Sequence, residues 1–258
     1  MSFSAENLEK LHAEAATIGP RFLALQEAIL THTYRTVRAK EFAQHGLVRR
    51  VKTIARAIRR FNEILPPERA DLPNSDELTD AAAYVQAHVF NVFGAMDNLA
   101  WIWVQEKGLT KANGQPLPDS YVGLRVGNTL VRQSFSQDFH AYLKTLDTWF
   151  EMQENFRHAL AHRIPLYIPP YIVPTQQAER YNQLEEAMAA AFGALDIEQY
   201  EALKAEQKAL VVFRPWITHS FAEEAKHVVA HFQVLQDFLT VEETAMRLLA
   251  ELNGLHAS

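Results

Sequence analysis

The sequence predicts an all-α fold, a multi-helix up-and-down bundle, on the basis of three observations. Glycine is scarce, with 9 among 258 residues. Apolar residues recur every three or four positions through most of the chain, and no window alternates for long as a strand does. The hydrophobic fraction of 48% and the charged fraction of 22% are typical of a globular protein with a substantial core. A single domain over residues 1–258 is therefore predicted.

Four helices are predicted before residue 108, over residues 4–18, 21–44, 47–65 and 75–107. Gly19 and Pro20 are expected to stop the first helix. Val37 is expected to face inward in the second helix, and Gly46 to break it. Asn74 and Glu77 have the spacing of a capping box at the start of the fourth helix. That helix is apolar on almost every side, which is typical of the central helix of a bundle.

The second half of the chain starts with a long connection, residues 108–133, whose length is unusual unless the segment is functional or partly mobile. Ser136 is expected to cap a helix that runs to Arg163. The proline-rich segment at 164–174 should then form an extended strap along the bundle. Further helices are predicted at 175–195, 196–211 and 220–252, and the last of these includes Ser220.

The densest acid–base chemistry lies on the helix before the strap, in Arg157, His158 and His162. Histidine can donate or accept a proton near neutral pH, and arginine offers a permanently charged planar fork to phosphate oxygens. RNA cleavage by the 2′-hydroxyl needs both kinds of group and no metal. Asn155 lies on the same helix edge as His158 and His162.

The run from Arg157 to His162 (arginine, a polar residue, three residues, histidine) resembles the signature of the HEPN superfamily. The resemblance covers these six positions and the helical context of about residues 21–165, with helices 175–252 expected to pack on that core. It implies a metal-independent endoribonuclease, with Arg157 on the scissile phosphate and His162 as general acid–base. His158 or Asn155 would orient His162. Other members of the superfamily are non-catalytic helical modules.

The spacing within the motif also bears on how the site is assembled. Arg157 and His162 are five positions apart, or about 140° around an ideal helix, so one straight helix does not aim both at one phosphate. A site shared by two chains across a two-fold axis solves this, and the resemblance implies such a homodimer. The alternative is a non-catalytic interaction module in which Arg157 and His158 are surface residues. His162 would then cap the carbonyls at its helix terminus.

A basic segment at residues 35–60 contains nine Lys or Arg residues and one Glu, although the whole chain has a net charge of −6. Such asymmetry can mark a surface for an anionic partner, here the RNA backbone. The alternative is a solvated helix face with arginines paired to acidic neighbours. The residues predicted to guide RNA are Arg49, Arg50, Lys52, Arg56, Arg59 and Arg60.

Other chemistries receive less support. The absence of Cys excludes disulfides and thiolate sites, and no nucleotide-binding or hydrolase motif occurs, so no cofactor or metal is predicted. Glu223, His227 and His231 form a possible metal-binding stripe, but a second helix would have to contribute His88 or His219. Aromatic residues could line a ligand pocket or stack bases, although core packing is the alternative; these are Trp101, Trp103, Tyr167 and Tyr171.

Two further expectations concern location. The amphipathic, acidic N-terminal segment lacks the pattern of a secretory signal. The most apolar stretch, 81–104, is interrupted by polar residues, so no membrane partner is expected. The sequence therefore predicts a cytoplasmic protein.

Overall fold

The computed structural model describes residues 3–220 and 227–257, and helices dominate that part of the chain, which confirms the all-α prediction. A π-helix, Phe42–Leu47, and two short strands, β1 (Trp216–Ile217) and β2 (Val228–Val229), accompany them. In chain order, the α-helices are α1 (Ala5–Thr31), α2 (Val37–Glu41), α3 (Val48–Ile64), α4 (Ser75–Lys107), α5 (Thr129–Gln133), α6 (Gln137–Thr145), α7 (Asp147–His162), α8 (Ala178–Gly193), α9 (Ile197–Ala209) and α10 (Ala230–Ala257).

Helix α4 lies at the centre and has the predicted bounds. Its capping box is formed, since Asn74 Oδ1 accepts from the backbone N–H of Glu77 at 2.9 Å and Glu77 Oε2 accepts from that of Asn74 at 2.8 Å. Gly108 ends the helix in the left-handed conformation, with φ of 67°. Helices α3, α7 and α10 pack against α4, which explains why it is apolar on most sides.

Helix α1 corrects one prediction, because it continues through Gly19 and Pro20 instead of stopping there. Its buried residues Leu11, Ile18 and Leu25 follow one stripe across the proline. An interior proline costs a helix about 3 kcal/mol, whereas each fully buried Leu or Ile contributes about 1.5–3 kcal/mol. Burial of the stripe therefore outweighs the hydrogen bond that Pro20 cannot donate.

The helix predicted at 21–44 is also divided differently. Helix α1 ends at Thr31, and a new helix begins after Thr36, whose hydroxyl accepts from the N–H of Ala39. The restart changes the helical phase, so Val37 is exposed, and its predicted inward position is wrong. Gly46 does not break the chain but lies in the π-helix between α2 and α3. A Cβ there would lie 3.0 Å from the Asn98 side chain, so glycine permits this close approach to α4.

The helix predicted from Ser136 to Arg163 is two helices, α6 and α7, which meet at Leu146. Ser136 caps the first as predicted, since its hydroxyl accepts from the N–H of Phe139 at 3.1 Å. Arg132 forms an ion pair with Asp147 at the start of α7. The shared apolar spacing conceals the interruption at Leu146, because both helices bury residues against the same core.

The strap is extended, as predicted, and it is attached on two sides. Its residues Tyr167 and Ile172 pair with Thr218 and Val212 as isolated antiparallel bridges. From α4, the Gln86 amide donates to the Leu166 carbonyl at 2.7 Å, and the Leu166 side chain joins the core. The strap therefore links α4 to the segment that precedes α10.

The last helix starts later than predicted. Ser220 lies outside it, β2 pairs with β1 in antiparallel register, and α10 begins only at Ala230. Glu223 lies outside the described residues. Within the described ranges, no helix combines the length and apolar character that crossing a membrane requires.

Candidate functional site

Helix α7 has a buried face and an exposed edge on opposite sides, and these fix its orientation in the bundle. Phe150, Gln153, Phe156 and Ala159 are buried at helical spacing, and this face packs against α4. The opposite edge is solvent-exposed and contains Asn155, His158 and His162, together with Glu151. The structure thus places these polar residues on one edge, as the spacing predicts.

A buried polar network fixes α7 to its neighbours. The carboxylate of Asp237 on α10 is 1% exposed, and its Oδ1 accepts from Trp149 Nε1 at 2.8 Å and Gln153 Nε2 at 2.7 Å. Its Oδ2 lies 3.2 Å from His88 Nε2 on α4, and Gln233 also donates to Oδ1. His88, considered above as a metal ligand, is therefore part of the network that joins α4, α7 and α10.

Two histidines form the exposed part of the edge. The rings of His158 and His162 have centroids 6.3 Å apart, with an angle of 65° between their planes. Neither ring is buried, so both can meet a ligand or a second protein surface. The pair provides two imidazoles one helical turn apart.

Asn155 is held by contacts of its own. Its Oδ1 accepts from Arg163 Nη2 at 2.6 Å, and its Nδ2 lies 3.4 Å from Nε2 of the buried His219. His219 follows Thr218, which pairs with Tyr167 of the strap, so the segment that pairs with the strap also contacts Asn155. These two contacts fix the orientation of the Asn155 side chain.

Arg157 faces away from the histidines and toward α4. It is partly buried, and its Cζ lies 5.4 Å from the ring centroid of Phe93. Arg125, from the long connection, approaches the same ring at 5.2 Å and forms an ion pair with Glu154 on α7. Phe93 thus serves as an aromatic surface for two guanidinium groups.

Asp97 on α4 supplies the negative charge at this location. Burial raises the pKa of its carboxyl, and the nearby Arg125, Arg50 and Arg157 oppose that rise. Three arginines from different segments, together with Glu154, thus lie close enough to this partly buried acid to affect its pKa. The sequence shows that Asp97 needs partners inside an apolar helix, but Arg125 and Phe93 carry no local signal that would have identified them.

Arg50, from α3, reaches this cluster by passing Gly94, where α4 has no side chain. Its Nε donates to Asn98 Oδ1 at 3.0 Å, and a Cβ added to Gly94 would lie 2.4 Å from its Cζ. Gly94 thus makes room for a side chain of α3. Arg50 is consequently an inward-facing residue, unlike most of the basic segment.

The other five basic residues predicted to guide RNA divide into two groups. Arg59 and Arg60 both contact Glu63, so they are paired as in the solvated-face alternative. Arg49, Lys52 and Arg56 are exposed on α3 and have no acidic partner among the described residues.

The possible metal-binding stripe is not formed in the described residues, because His227 and His231 do not lie on one helix. His227 precedes α10 and stacks on Trp216, with centroids 4.2 Å apart. His231 lies within α10, where its Nε2 is 2.7 Å from the Leu65 carbonyl oxygen. The described ranges contain no group of His, Cys, Asp and Glu side chains arranged to hold a metal.

The four aromatic residues considered for a ligand pocket have separate surroundings. Trp103 is buried, stacks on Phe135 and donates to Ser134 Oγ, whereas Trp101 stacks on Phe42. Tyr167 belongs to the strap. Tyr171 is hydrogen-bonded to Tyr181 on α8 through their hydroxyl groups. They pack within separate parts of the structure and do not line one pocket.

Comparison with protein-family models, curated proteins and solved structures finds no match to this chain. The residue contacts described above are therefore the basis for any functional assignment.

Proposed function

We propose that the protein is a metal-independent endoribonuclease whose site forms between two copies of α7 in a homodimer. The observation that carries the proposal is the exposed edge of His158 and His162, on the same helix as an Arg157 that packs over Phe93 and lies close enough to Asp97 to affect its pKa. A base, an acid and a guanidinium are the groups that cleavage of RNA by its own 2′-hydroxyl requires.

In this proposal, His162 transfers protons between the 2′-hydroxyl and the leaving oxygen. His158 shares the exposed edge and orients the reacting groups, and Asn155, which contacts Arg163 and His219, is proposed to position the helix end. Arg157 neutralises the charge that develops on the phosphate. No step needs a metal ion.

Two copies are required because the groups face different directions within one chain. Arg157 is directed toward α4, while the histidines lie on the exposed edge. A two-fold axis beside α7 would bring the edge of one protomer to the arginine side of its partner. The alternative is a non-catalytic interaction module, and the following experiment distinguishes it from a nuclease.

The test is incubation of purified protein with total RNA in EDTA. Wild type should cleave RNA, and His162→Ala should lower the rate by about 100-fold or more, the usual contribution of a general acid–base. His45→Ala removes an exposed histidine distant from α7 in sequence and should retain full activity. Intact RNA with the wild type would contradict the nuclease proposal and favour the module.

A further inference from the structure

A groove separate from the α7 edge lies between α1, α3 and α10. Its volume is about 630 Å³, which is within the usual range of small-molecule sites. The wall is mainly apolar and is formed by Leu11, Ala15, Ile18, Phe22, Ile58 and Leu235. Such a wall suits an apolar molecular body and not a sugar–phosphate chain.

Two of the residues that line the groove, His231 and Asn62, each have a buried acceptor atom that lacks a donor among the described residues. His231 is 2% exposed, and a carbonyl oxygen can only accept, so Nε2 carries the hydrogen that is donated to Leu65. Burial lowers the pKa of His231 to about 4, so the ring is neutral at pH 7 and Nδ1 is an acceptor. This Nδ1 and Oδ1 of Asn62 are both buried without a hydrogen-bond partner among the described residues.

Unpaired positive charge lines another part of the groove. Lys52 and Arg56 contribute to the wall and have no acidic partner in the described part of the chain. The acids nearby are already engaged, because Glu63 contacts Arg59 and Arg60 while Glu68 lies 3.2 Å from His12. An anion at Lys52 and Arg56 would therefore meet a net positive field.

The separation of these features along α3 sets the length of a ligand. Asn62 follows Arg56 by six positions and Lys52 by ten, which corresponds to about 9–15 Å along a helix axis. His231 bonds to Leu65, just beyond Asn62 and the end of α3. A medium-length aliphatic chain spans this distance.

We infer that the groove binds a small amphipathic anion with an aliphatic body. Its anionic head contacts Lys52 and Arg56, and a hydroxyl group at its other end donates to His231 Nδ1 or Asn62 Oδ1. The head can be a carboxylate or a phosphate, since both accept from lysine and arginine. The groove is separate from the α7 edge, although Lys52 and Arg56 also belong to the surface predicted to guide RNA.

The inference can be tested by calorimetry with the full chain and a matched set of probes. ω-Hydroxydecanoate and ω-hydroxydecyl phosphate distinguish the two head groups, and the tighter one identifies the head. Decanoate lacks the hydroxyl and decanol lacks the charge, so each should bind about tenfold more weakly than the better complete probe. Equal affinity for decanoate and the complete probe would overturn the inference, as would failure of both complete probes to bind at about 1 mM.

Variants supply an independent check of the charged end. Arg56→Gln should weaken binding of the complete probe about tenfold and leave decanol binding unchanged. Arg49→Gln is the matched control, because Arg49 is exposed on the same helix but does not line the groove. An equal effect of the two substitutions would contradict the assignment, as would displacement of the complete probe by an equal concentration of inorganic phosphate.

Discussion

His231 illustrates how burial fixes the protonation state of a single residue. Its side chain contacts the Leu65 carbonyl and the ring of Phe61, and burial lowers its pKa from 6.5 to about 4. The unfolded chain therefore binds a proton at His231 at a higher pH than the folded chain does. Between these two pKa values, protonation favours unfolding.

We predict that the free energy of unfolding contains a contribution from His231 that is present above about pH 6.5 and is lost as the pH falls toward 4. Its full size is about 3 kcal/mol, from the conversion of pKa differences to free energy. Urea unfolding across this pH window should show a weaker dependence in His231→Gln than in wild type. His45→Gln is the control, and an NMR titration that places the pKa of His231 at or above 6.5 would contradict the prediction.

Asp237 is a second residue whose contribution to stability depends on its surroundings. It is 1% exposed and accepts from side chains on α7 and α10, while His88 contacts it from α4. A buried network of this kind destabilises the fold strongly when one member is removed, because the remaining polar groups stay buried.

We therefore expect Asp237→Ala to lower the free energy of unfolding by about 3–5 kcal/mol. Chemical denaturation measures this change, and Glu9→Ala, which removes an exposed acid of α1, provides the control. A loss below about 1 kcal/mol would mean that the network contributes little to anchoring α7.

At the scale of elements, the sequence predicts helices with regular spacing better than it predicts their junctions. The bounds of α4 follow from the Asn74 capping box and Gly108, which are local signals. The continuation of α1 through Pro20 depends on burial of Leu25 and Ile29 by other helices, which no local pattern reveals. The same holds for the break at Leu146 between α6 and α7.

The candidate site also contains some residues that the sequence alone could place and others that it could not. The exposed edge of α7 follows from helical spacing, so His158 and His162 could be placed together from the sequence. The surroundings of Arg157 could not, because Phe93, Asp97 and Arg125 are brought to it by tertiary packing.

The contact between α3 and α4 at Gly94 leads to an element-scale prediction. A methyl group in Gly94→Ala would occupy the position of the Arg50 guanidinium, which must then leave Asn98. Loss of a hydrogen bond to the buried Asn98 should cost about 1–3 kcal/mol, and the helix preference of alanine recovers up to about 1 kcal/mol, so a net loss of up to about 2 kcal/mol is expected in urea unfolding.

The matched control is Gly254→Ala, because Gly254 lies in α10 with nothing within 4 Å of an added Cβ. Alanine favours a helix over glycine by up to about 1 kcal/mol, so this substitution should be neutral or stabilising. Equal destabilisation by the two changes would show that Arg50 is not what Gly94 accommodates.

For the whole molecule, charge should govern any association with RNA. Arg49, Lys52 and Arg56 are exposed cations without acidic partners in the described ranges, whereas Arg60 contacts Glu63. We predict that single-stranded RNA binds with an affinity that falls steeply with salt. Arg49→Gln should reduce the slope of log affinity against log salt by about 0.7, and Arg60→Gln by less. Fluorescence anisotropy measures both slopes, and salt-independent affinity would contradict the prediction.

Assembly of one site from two chains is the central claim at this scale. Arg157 and the histidine edge face different surroundings within one chain, so neither Arg157→Ala nor His162→Ala should cleave RNA on its own. A mixed dimer of these two variants would, however, contain one intact composite site.

The most direct measurement is therefore cleavage of RNA in EDTA after the two inactive variants are mixed in equal amounts and allowed to exchange subunits. Half of the dimers would be mixed, each with one intact site of two, so we predict recovery of about a quarter of wild-type activity. No recovery in a mixture shown by differential tags to contain mixed dimers would contradict the composite site, as would a wild-type protein that remains monomeric.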